Sequence, residues 1–319
     1  MLSNKKDLEK EIERLKKVKG FSIVSHYFTN DEVHRVSDFV ADSLELALSV
    51  GEQDSSSVVV CTTSFMVEIA KILNPHKKIL TPLQSCQCRM VSYIREEHVR
   101  KARKQYPGAP LVLYFNSPNR IKLMADALCT ASTALQVVNS PSFRDYPVLL
   151  FGPDKHIAHY LAENSSKEIV SVCDGFCHVH QYREKDLKRQ MEEYPDARVV
   201  MHPECASTIQ KYAHFIGGTT SIRRYVEETG FKVYLIGCDH NLTRLIQKEN
   251  PKKRVLSIDP VFQCEEMRMF NLENIYRSLS EDVYEIKLNL TPNEMDYIRQ
   301  MLLDIDAHVN TSRKVVARG

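Results

Sequence analysis

The sequence predicts an α/β protein: three similar three-layer αβα domains with parallel sheets, repeated around a pseudo-threefold axis. Three observations predict it. Cys88, Cys177 and Cys264 lie 89 and 87 residues apart, each just beyond a strand-like apolar run. Short β-rich runs recur at the same spacing. The stretches between them carry helical periodicity, and strands alternating with helices need crossover connections, which make parallel sheets with helices on both faces.

A true internal repeat recurs at several kinds of position. Strand-like runs begin near Ser22, Val58 and Lys78, then Leu111, Val148 and Glu168, then Arg198, Val233 and Val255, with offsets of 85 to 90 residues. The residues ending the first run of each set also match: His26, Tyr114 and His202, 88 residues apart in both steps. Helix starts match through Ser43, Ser132 and Thr219 or Thr220. The expected domains are 1–88 plus 265–319, carrying the N- and C-terminal helices, then 89–177, then 178–264.

In chain order, residues 4–18 place Leu8, Ile12, Leu15 and Val18 at helical spacing among lysines and glutamates, an amphipathic helix with a charged face. Helical stretches are expected at 31–48, 64–73, 120–128 and 208–214. The last helix is announced by Thr291-Pro292-Asn293-Glu294, a capping box with proline at the first helical position. Met295, Ile298, Met301, Leu302 and Ile305 then form an apolar stripe suited to core packing.

Composition narrows the class. At 319 residues the chain accommodates three units of ordinary domain size, and 43% hydrophobic with 26% charged residues is globular usage. No apolar stretch approaches the roughly 20 residues needed to cross a bilayer. The N-terminal segment is charged and lacks an apolar signal region, so a cytoplasmic enzyme is expected. The net charge of +2 is spread along the chain, which excludes the basic footprint of a nucleic-acid binder.

Nine cysteines, an odd number, argue against a disulfide framework and for metal or redox chemistry. Cys61, Cys129, Cys173, Cys205 and Cys238 are expected as buried thiols. Cys86-Gln87-Cys88 offers two candidates for one ligand position, and the repeat favours Cys88. Three thiolates leave a metal centre one ligand short, and iron–sulfur clusters normally take four cysteines; an iron left open could bind substrate as a Lewis acid. Spacing alone leaves open whether any metal binds.

Ligand groups collect at the carboxyl ends of parallel strands. Those ends are polar here: Ser25-His26-Tyr27, Tyr114-Phe115-Asn116 and His202-Pro203-Glu204. Helix starts carry Asp42-Ser43, Thr130-Ala131-Ser132 and Gly217-Gly218-Thr219-Thr220. Three helix N-termini facing one cavity would favour anions, so a substrate with carboxylates or a phosphate is expected.

Asp42-Ser43-Leu44-Glu45-Leu46, the run from Phe65 to Pro75, Gly175-Phe176-Cys177 with His180, His202-Pro203-Glu204-Cys205, and Cys264 with Met267 together resemble the quinolinate synthase family, in one register from about residue 20 to about residue 280. The resemblance implies three αβα domains about a pseudo-threefold axis and a [4Fe–4S] cluster held by Cys88, Cys177 and Cys264. It implies condensation of iminoaspartate with dihydroxyacetone phosphate, with loss of phosphate and water, to quinolinate, a pyridine precursor of NAD. An amino-acid oxidase is the implied supplier of the unstable imine. By position, the family's active-site residues match His26, Ser43, Tyr114, Asn116, Ser132, His202, Glu204 and Thr219.

Glu204 then stands to shuttle protons or to meet the open iron, against the plainer reading of a surface carboxylate. Tyr114 polarises a substrate oxygen or is a core tyrosine with a satisfied hydroxyl. His26 and His202 bind carboxylate or phosphate or are satisfied core histidines; His180 is either functional or a hydrogen-bond partner near the cluster. Ser43, Ser132 and Thr219 are substrate-binding hydroxyls or plain helix N-caps.

The chain departs from the family pattern at several positions. Phe28 replaces a tyrosine, Leu83-Gln84-Ser85-Cys86-Gln87 an acidic stretch, Ser64 a histidine, Thr133 an asparagine, Gly218 a common serine and Asp239 a glutamate. A buried polar partner left unmet costs about 1–3 kcal/mol, so several such changes favour a different small anionic substrate as the alternative. A non-catalytic iron–sulfur sensor is a third reading.

Overall fold

The computed structural model describes residues 4–316, with side chains through residue 305. Twelve strands among them form three four-stranded sheets. The first contains β1 (Phe21–His26), β2 (Phe39–Ala41), β3 (Ser57–Cys61) and β4 (Lys78–Leu80). The second contains β5 (Leu111–Tyr114), β6 (Ala127–Cys129), β7 (Val148–Gly152) and β8 (Glu168–Ser171). The third contains β9 (Arg198–Met201), β10 (Phe215–Ile216), β11 (Val233–Gly237) and β12 (Arg254–Ser257). The orders are β2-β1-β3-β4, β6-β5-β7-β8 and β10-β9-β11-β12, with every pair parallel. The expected α/β class, with three similar parallel-sheet units, is what the chain forms.

Central strands read as continuous apolar runs because both faces are covered by helices. Val58, Val59 and Val60 in β3, Leu111, Val112 and Leu113 in β5, and Tyr234, Leu235 and Ile236 in β11 are fully buried. Each such side chain stabilises the fold by roughly 1.5–3 kcal/mol.

The sequence pattern accounted for three strands per sheet, and the structure has four. The stretches 31–48, 120–128 and 208–214 were expected to be helical, but β2 lies inside the first, β6 overlaps the end of the second and β10 immediately follows the third. Helix at each place is confined to a short segment (Asp31–Val36, Asn119–Lys122, Ser207–Gln210) ahead of a strand of two or three residues. The cause is a clamp repeated in all three sheets. Asp38 accepts the Ile23 amide at 2.8 Å and returns its own amide to the Ile23 carbonyl; Asp126 does the same with Leu111, and His214 with Val199 through Nδ1. These long-range bonds set strand register where local propensity favours helix.

A second device recurs just before the fourth strand of each sheet. Lys77, Lys167 and Lys253 each place an ammonium against carbonyls at the end of the helical segment that precedes the third strand: Gln53 and Ser55, then Phe143, Arg144 and Tyr146, then Val226, Glu227 and Thr229. A cation there satisfies orphan carbonyls and complements the helix dipole.

The first helix runs Lys5–Lys19 and buries Leu8, Ile12 and Leu15. Val18, expected on the same face, is 69% exposed. The last helix, Pro292–Val316, starts at the capping box: Thr291 Oγ1 accepts the Glu294 amide, and the Glu294 carboxylate accepts the Thr291 amide. Ile298, Leu302 and Ile305 are buried along it.

The chain divides into two compact units, one ending at Cys88 and resuming for Cys264–Asp296, the other comprising Arg89–Gln263 and the chain from Tyr297 onward. The first unit holds the first sheet and the second holds the other two. Within the second unit the Tyr297 hydroxyl donates to the Ala125 carbonyl at 2.9 Å. Among the described residues, no helix is long and apolar enough to cross a membrane.

Candidate functional site

Parallel topology brings the residues that follow β1, β5 and β9 to the carboxyl edges of their sheets. After β1 and β9 the backbone turns in the same way. His26 Nδ1 accepts the Phe28 amide at 3.1 Å, and His202 Nδ1 accepts the Glu204 amide at 3.3 Å. An Nδ1 that accepts leaves the neutral ring's proton on Nε2, so each imidazole presents an N–H donor. Both rings are buried. Phe28, Asn116 and Glu204 occupy matching places, two residues beyond His26, Tyr114 and His202.

In the second unit these edges build a buried polar group. Glu204 Oε2 lies 2.9 Å from His180 Nδ1 and 3.5 Å from His202 Nδ1, and the Tyr114 hydroxyl hydrogen-bonds the same carboxylate. The His180 and His202 rings stack with centroids 4.7 Å apart. His180 Nε2 sits 3.4 Å from the Cys238 thiol. The Cys177 sulfur, a ring nitrogen of His180 and a carboxylate oxygen of Glu204 all fall within 4.8 Å of one another.

Burial sets the charge states. Burial alone would raise the Glu204 carboxyl, but the adjacent His202 ring and hydrogen bonds from His180 and Tyr114 outweigh it and hold the group down at about 2. Burial drives His202 down to about 3 against the pull of Glu204. At neutral pH, then, an ionised Glu204 stands beside a neutral His202. His180 Nδ1 stands against the charged Glu204, and its Nε2 lies beside the Cys238 thiol, which burial keeps protonated. Burial, and secondarily the Glu204 charge, push Tyr114 well above the ordinary phenol range, so it remains a donor.

The cysteines separate by exposure. Among the described residues none forms a disulfide; Cys61, Cys86, Cys129, Cys205 and Cys238 are buried, whereas Cys88, Cys173, Cys177 and Cys264 are half-buried. Cys173 was expected to be buried, but its loop includes the exposed Ser171 and Asp174 and leaves the thiol half-buried against the Pro153 carbonyl at 3.4 Å. A repeated backbone hook decides which cysteines correspond. The first amide of the helix after the third strand of each sheet donates to a loop carbonyl: Ser64 to Cys86 at 2.7 Å, Lys155 to Gly175 at 2.8 Å, His240 to Phe262 at 3.3 Å. Two residues beyond each accepting carbonyl stand Cys88, Cys177 and Cys264. Cys86 is thus the counterpart of Gly175 and Phe262, and burial pushes its thiol up to about 12. In the first unit, the Cys264 thiol lies 3.5 Å from a Glu266 carboxylate oxygen, and Cys86 donates to the Glu266 carbonyl at 3.4 Å.

None of the three helix-start hydroxyls is an N-cap. Ser43 is the first residue of helix Ser43–Glu52, capped by Asp42, and Thr219 is the first of Thr219–Glu228, capped by Gly218. Ser132 is exposed in the turn before helix Ala134–Val138, whose N-cap is Thr133; Thr133 Oγ1 accepts the Thr130 amide at 2.9 Å. That turn comes so close to the third sheet that a Cβ on Gly218 would meet Ser132 Oγ at 2.1 Å. The packing therefore accounts for glycine at 218 and brings Ser132 beside the start of the Thr219 helix.

One buried carboxyl in this region escaped sequence reasoning. Asp154 is fully buried, caps helix Lys155–Asn164, and is pushed well above the usual carboxylate range by burial and by the charge of Glu204. Its signal was available: it lies 85 residues before Asp239, which caps the matching helix His240–Glu249.

Comparison with known proteins agrees with this geometry. A family model described as quinolinate synthetase A protein (NadA) matches residues 10–302. The quinolinate synthase of Methanocaldococcus jannaschii is 37% identical over 289 residues, covering 88% of this chain and 93% of its own. That of Methanothermobacter thermautotrophicus is 36% identical over 282 residues, covering 88% and 91%. That of Thermotoga maritima is 33% identical over 279 residues, covering 87% and 92%. With a match that spans all three sheets and their strand-end residues, the chain belongs to the quinolinate synthetase A protein family.

Proposed function

We propose that this chain is a quinolinate synthase, condensing iminoaspartate with dihydroxyacetone phosphate to quinolinate with release of phosphate and water. The observation that carries the reading is the buried group of Tyr114, His180, His202 and Glu204 with the Cys177 sulfur at its edge. The relatives cited above bear that name.

Cys88, Cys177 and Cys264 would hold a [4Fe–4S] cluster. Three half-buried, disulfide-free thiols at matching places in three repeats form a soft donor set suited to it. When bound, the cluster supplies a Lewis-acidic iron without a fourth protein ligand for the loss of water. Glu204, ionised between its donors, accepts protons released in tautomerisation and returns one to the departing hydroxyl. Tyr114 donates to a substrate oxygen. His202 and His26, with donors on Nε2, bind carboxylate or phosphate, joined by the hydroxyls of Ser43, Ser132 and Thr219 and by Asn116, whose buried Oδ1 has no hydrogen-bond partner among the described residues. An amino-acid oxidase would supply the imine. The division into domains at 88/89, 177/178 and 264/265 follows the equivalent cysteines, and nine cysteines with no disulfide among the described residues suit a reducing cytoplasm.

A second reading rests on Phe28. Where Glu204 and Asn116 carry polar groups the first sheet carries a phenyl ring, which favours a relative acting on another small anionic imine or carbonyl phosphate. A sensor needs thiolates but no such polar group, and the Tyr114–Glu204 pairing speaks against it. The test is quinolinate formation by anaerobically reconstituted protein given fresh iminoaspartate and dihydroxyacetone phosphate. Turnover is expected; a full cluster without quinolinate moves the assignment to the second reading, and failure of the folded chain to take up a cluster overturns both.

A further inference from the structure

We propose that Asp154 is a positioning residue whose carboxyl sets where the 173–177 loop presents Cys177. This rests on the reading of Cys177 as a cluster ligand. Asp154 stands two residues beyond the end of β7 and has no exposed surface. Its Oδ1 accepts the amides of His156 at 2.8 Å and Ile157 at 2.9 Å. Oδ2 is buried without a well-aligned partner among the described residues, while the Cys177 amide is directed at this carboxyl. From the other side, Gln181 Nε2 donates to the Cys177 carbonyl at 2.8 Å, and Gln181 Oε1 lies 3.3 Å from His156 Nε2. The cysteine's peptide groups are thus held fore and aft by residues anchored to one helix start.

The loop is fastened along its length. Lys155 donates its amide to the Gly175 carbonyl at 2.8 Å, and the Cys173 thiol meets the Pro153 carbonyl at 3.4 Å. Gly175 lies so close that a Cβ there would stand 2.4 Å from the Pro153 oxygen. Partners that orient a metal ligand typically change metal affinity by about 10- to 100-fold when removed.

Asp154→Asn separates positioning from capping. Asparagine caps helices as well as aspartate does, but keeping its oxygen on the His156 and Ile157 amides turns toward the Cys177 amide an NH₂ that has no acceptor lone pair, where Oδ2 of the parent keeps one in either protonation state. The full-length variant, reconstituted anaerobically beside the parent, is expected to melt within a few degrees of it. It should release iron to a chelator about 10- to 100-fold faster and show an altered electron paramagnetic resonance line shape of the reduced cluster. Asn271→Ala, which removes the cap that accepts the Asn274 amide at 2.9 Å, should lower stability without changing release. Where Asp154→Asn does not fold, Gly175→Ala reads the same loop and should show the same fast release. Parental release and spectrum in the folded variant overturn the positioning role alone; a folded parent that takes up no cluster overturns the ligand reading and this proposal with it.

Discussion

At the end of β1 the His26 ring accepts the Phe28 amide, and at the end of β9 the His202 ring accepts the Glu204 amide, but the third residue is a phenyl group in one and a carboxylate in the other. Phe28 meets the His26 ring edge-on at 4.6 Å, an apolar contact that leaves no group to exchange a proton. Glu204 is bound by His180 and Tyr114 and kept ionised in a buried place. The repeat therefore supplies a common scaffold, and one side chain per copy decides what the scaffold can do.

The largest effect that would break this picture concerns the cysteines, whose correspondence rests on the repeated hook. Cys88→Ala is expected to abolish iron–sulfur absorbance after reconstitution, and Cys86→Ala to retain it; the reverse result would mean that the three copies are not equivalent at this position. Next comes the pair of third residues. Glu204→Gln should lower turnover by about 10²–10⁴-fold with iron content unchanged, while Phe28→Leu should change it by less than about tenfold. Comparable losses in both variants would refute the division of labour between the two edges.

The smallest effect is on stability. His202 stays neutral in the fold down to about 3, whereas an exposed imidazole titrates near 6.5. Between those values the unfolded chain binds the extra proton, so stability rises with pH across the window and is lost as pH falls from about 6.5 toward about 3. His202→Asn should flatten that acid limb. Melting temperatures of the metal-free chain at pH 7 and pH 4 would show it, and an undiminished fall in the variant would assign the limb to other groups.

Much of this was legible in the chain. Helix 64–73 was placed to the residue, because its apolar stripe is uninterrupted and only Cys61-Thr62-Thr63 separate it from Val58-Val59-Val60. Strands β2, β6 and β10 were not, since two or three residues carry too little pattern to outweigh flanking helical periodicity. The strand-end residues His26, Tyr114 and His202 stood out as polar groups beyond apolar runs. Asp154 did not, because an aspartate before a helix reads as an ordinary N-cap, and its burial follows from the loop that folds over it.

By itself, the sequence determined the threefold recurrence, the parallel α/β class, the equivalent spacing of Cys88, Cys177 and Cys264, and the family resemblance, because these depend on residue type and spacing along one chain. Tertiary structure alone decided that His180 stacks on His202 against Glu204, that Gly218 is pressed against Ser132, and that a buried Asp154 faces the Cys177 amide. Each of these depends on groups brought together from distant parts of the chain, where removal from water sets both charge state and hydrogen-bond partner.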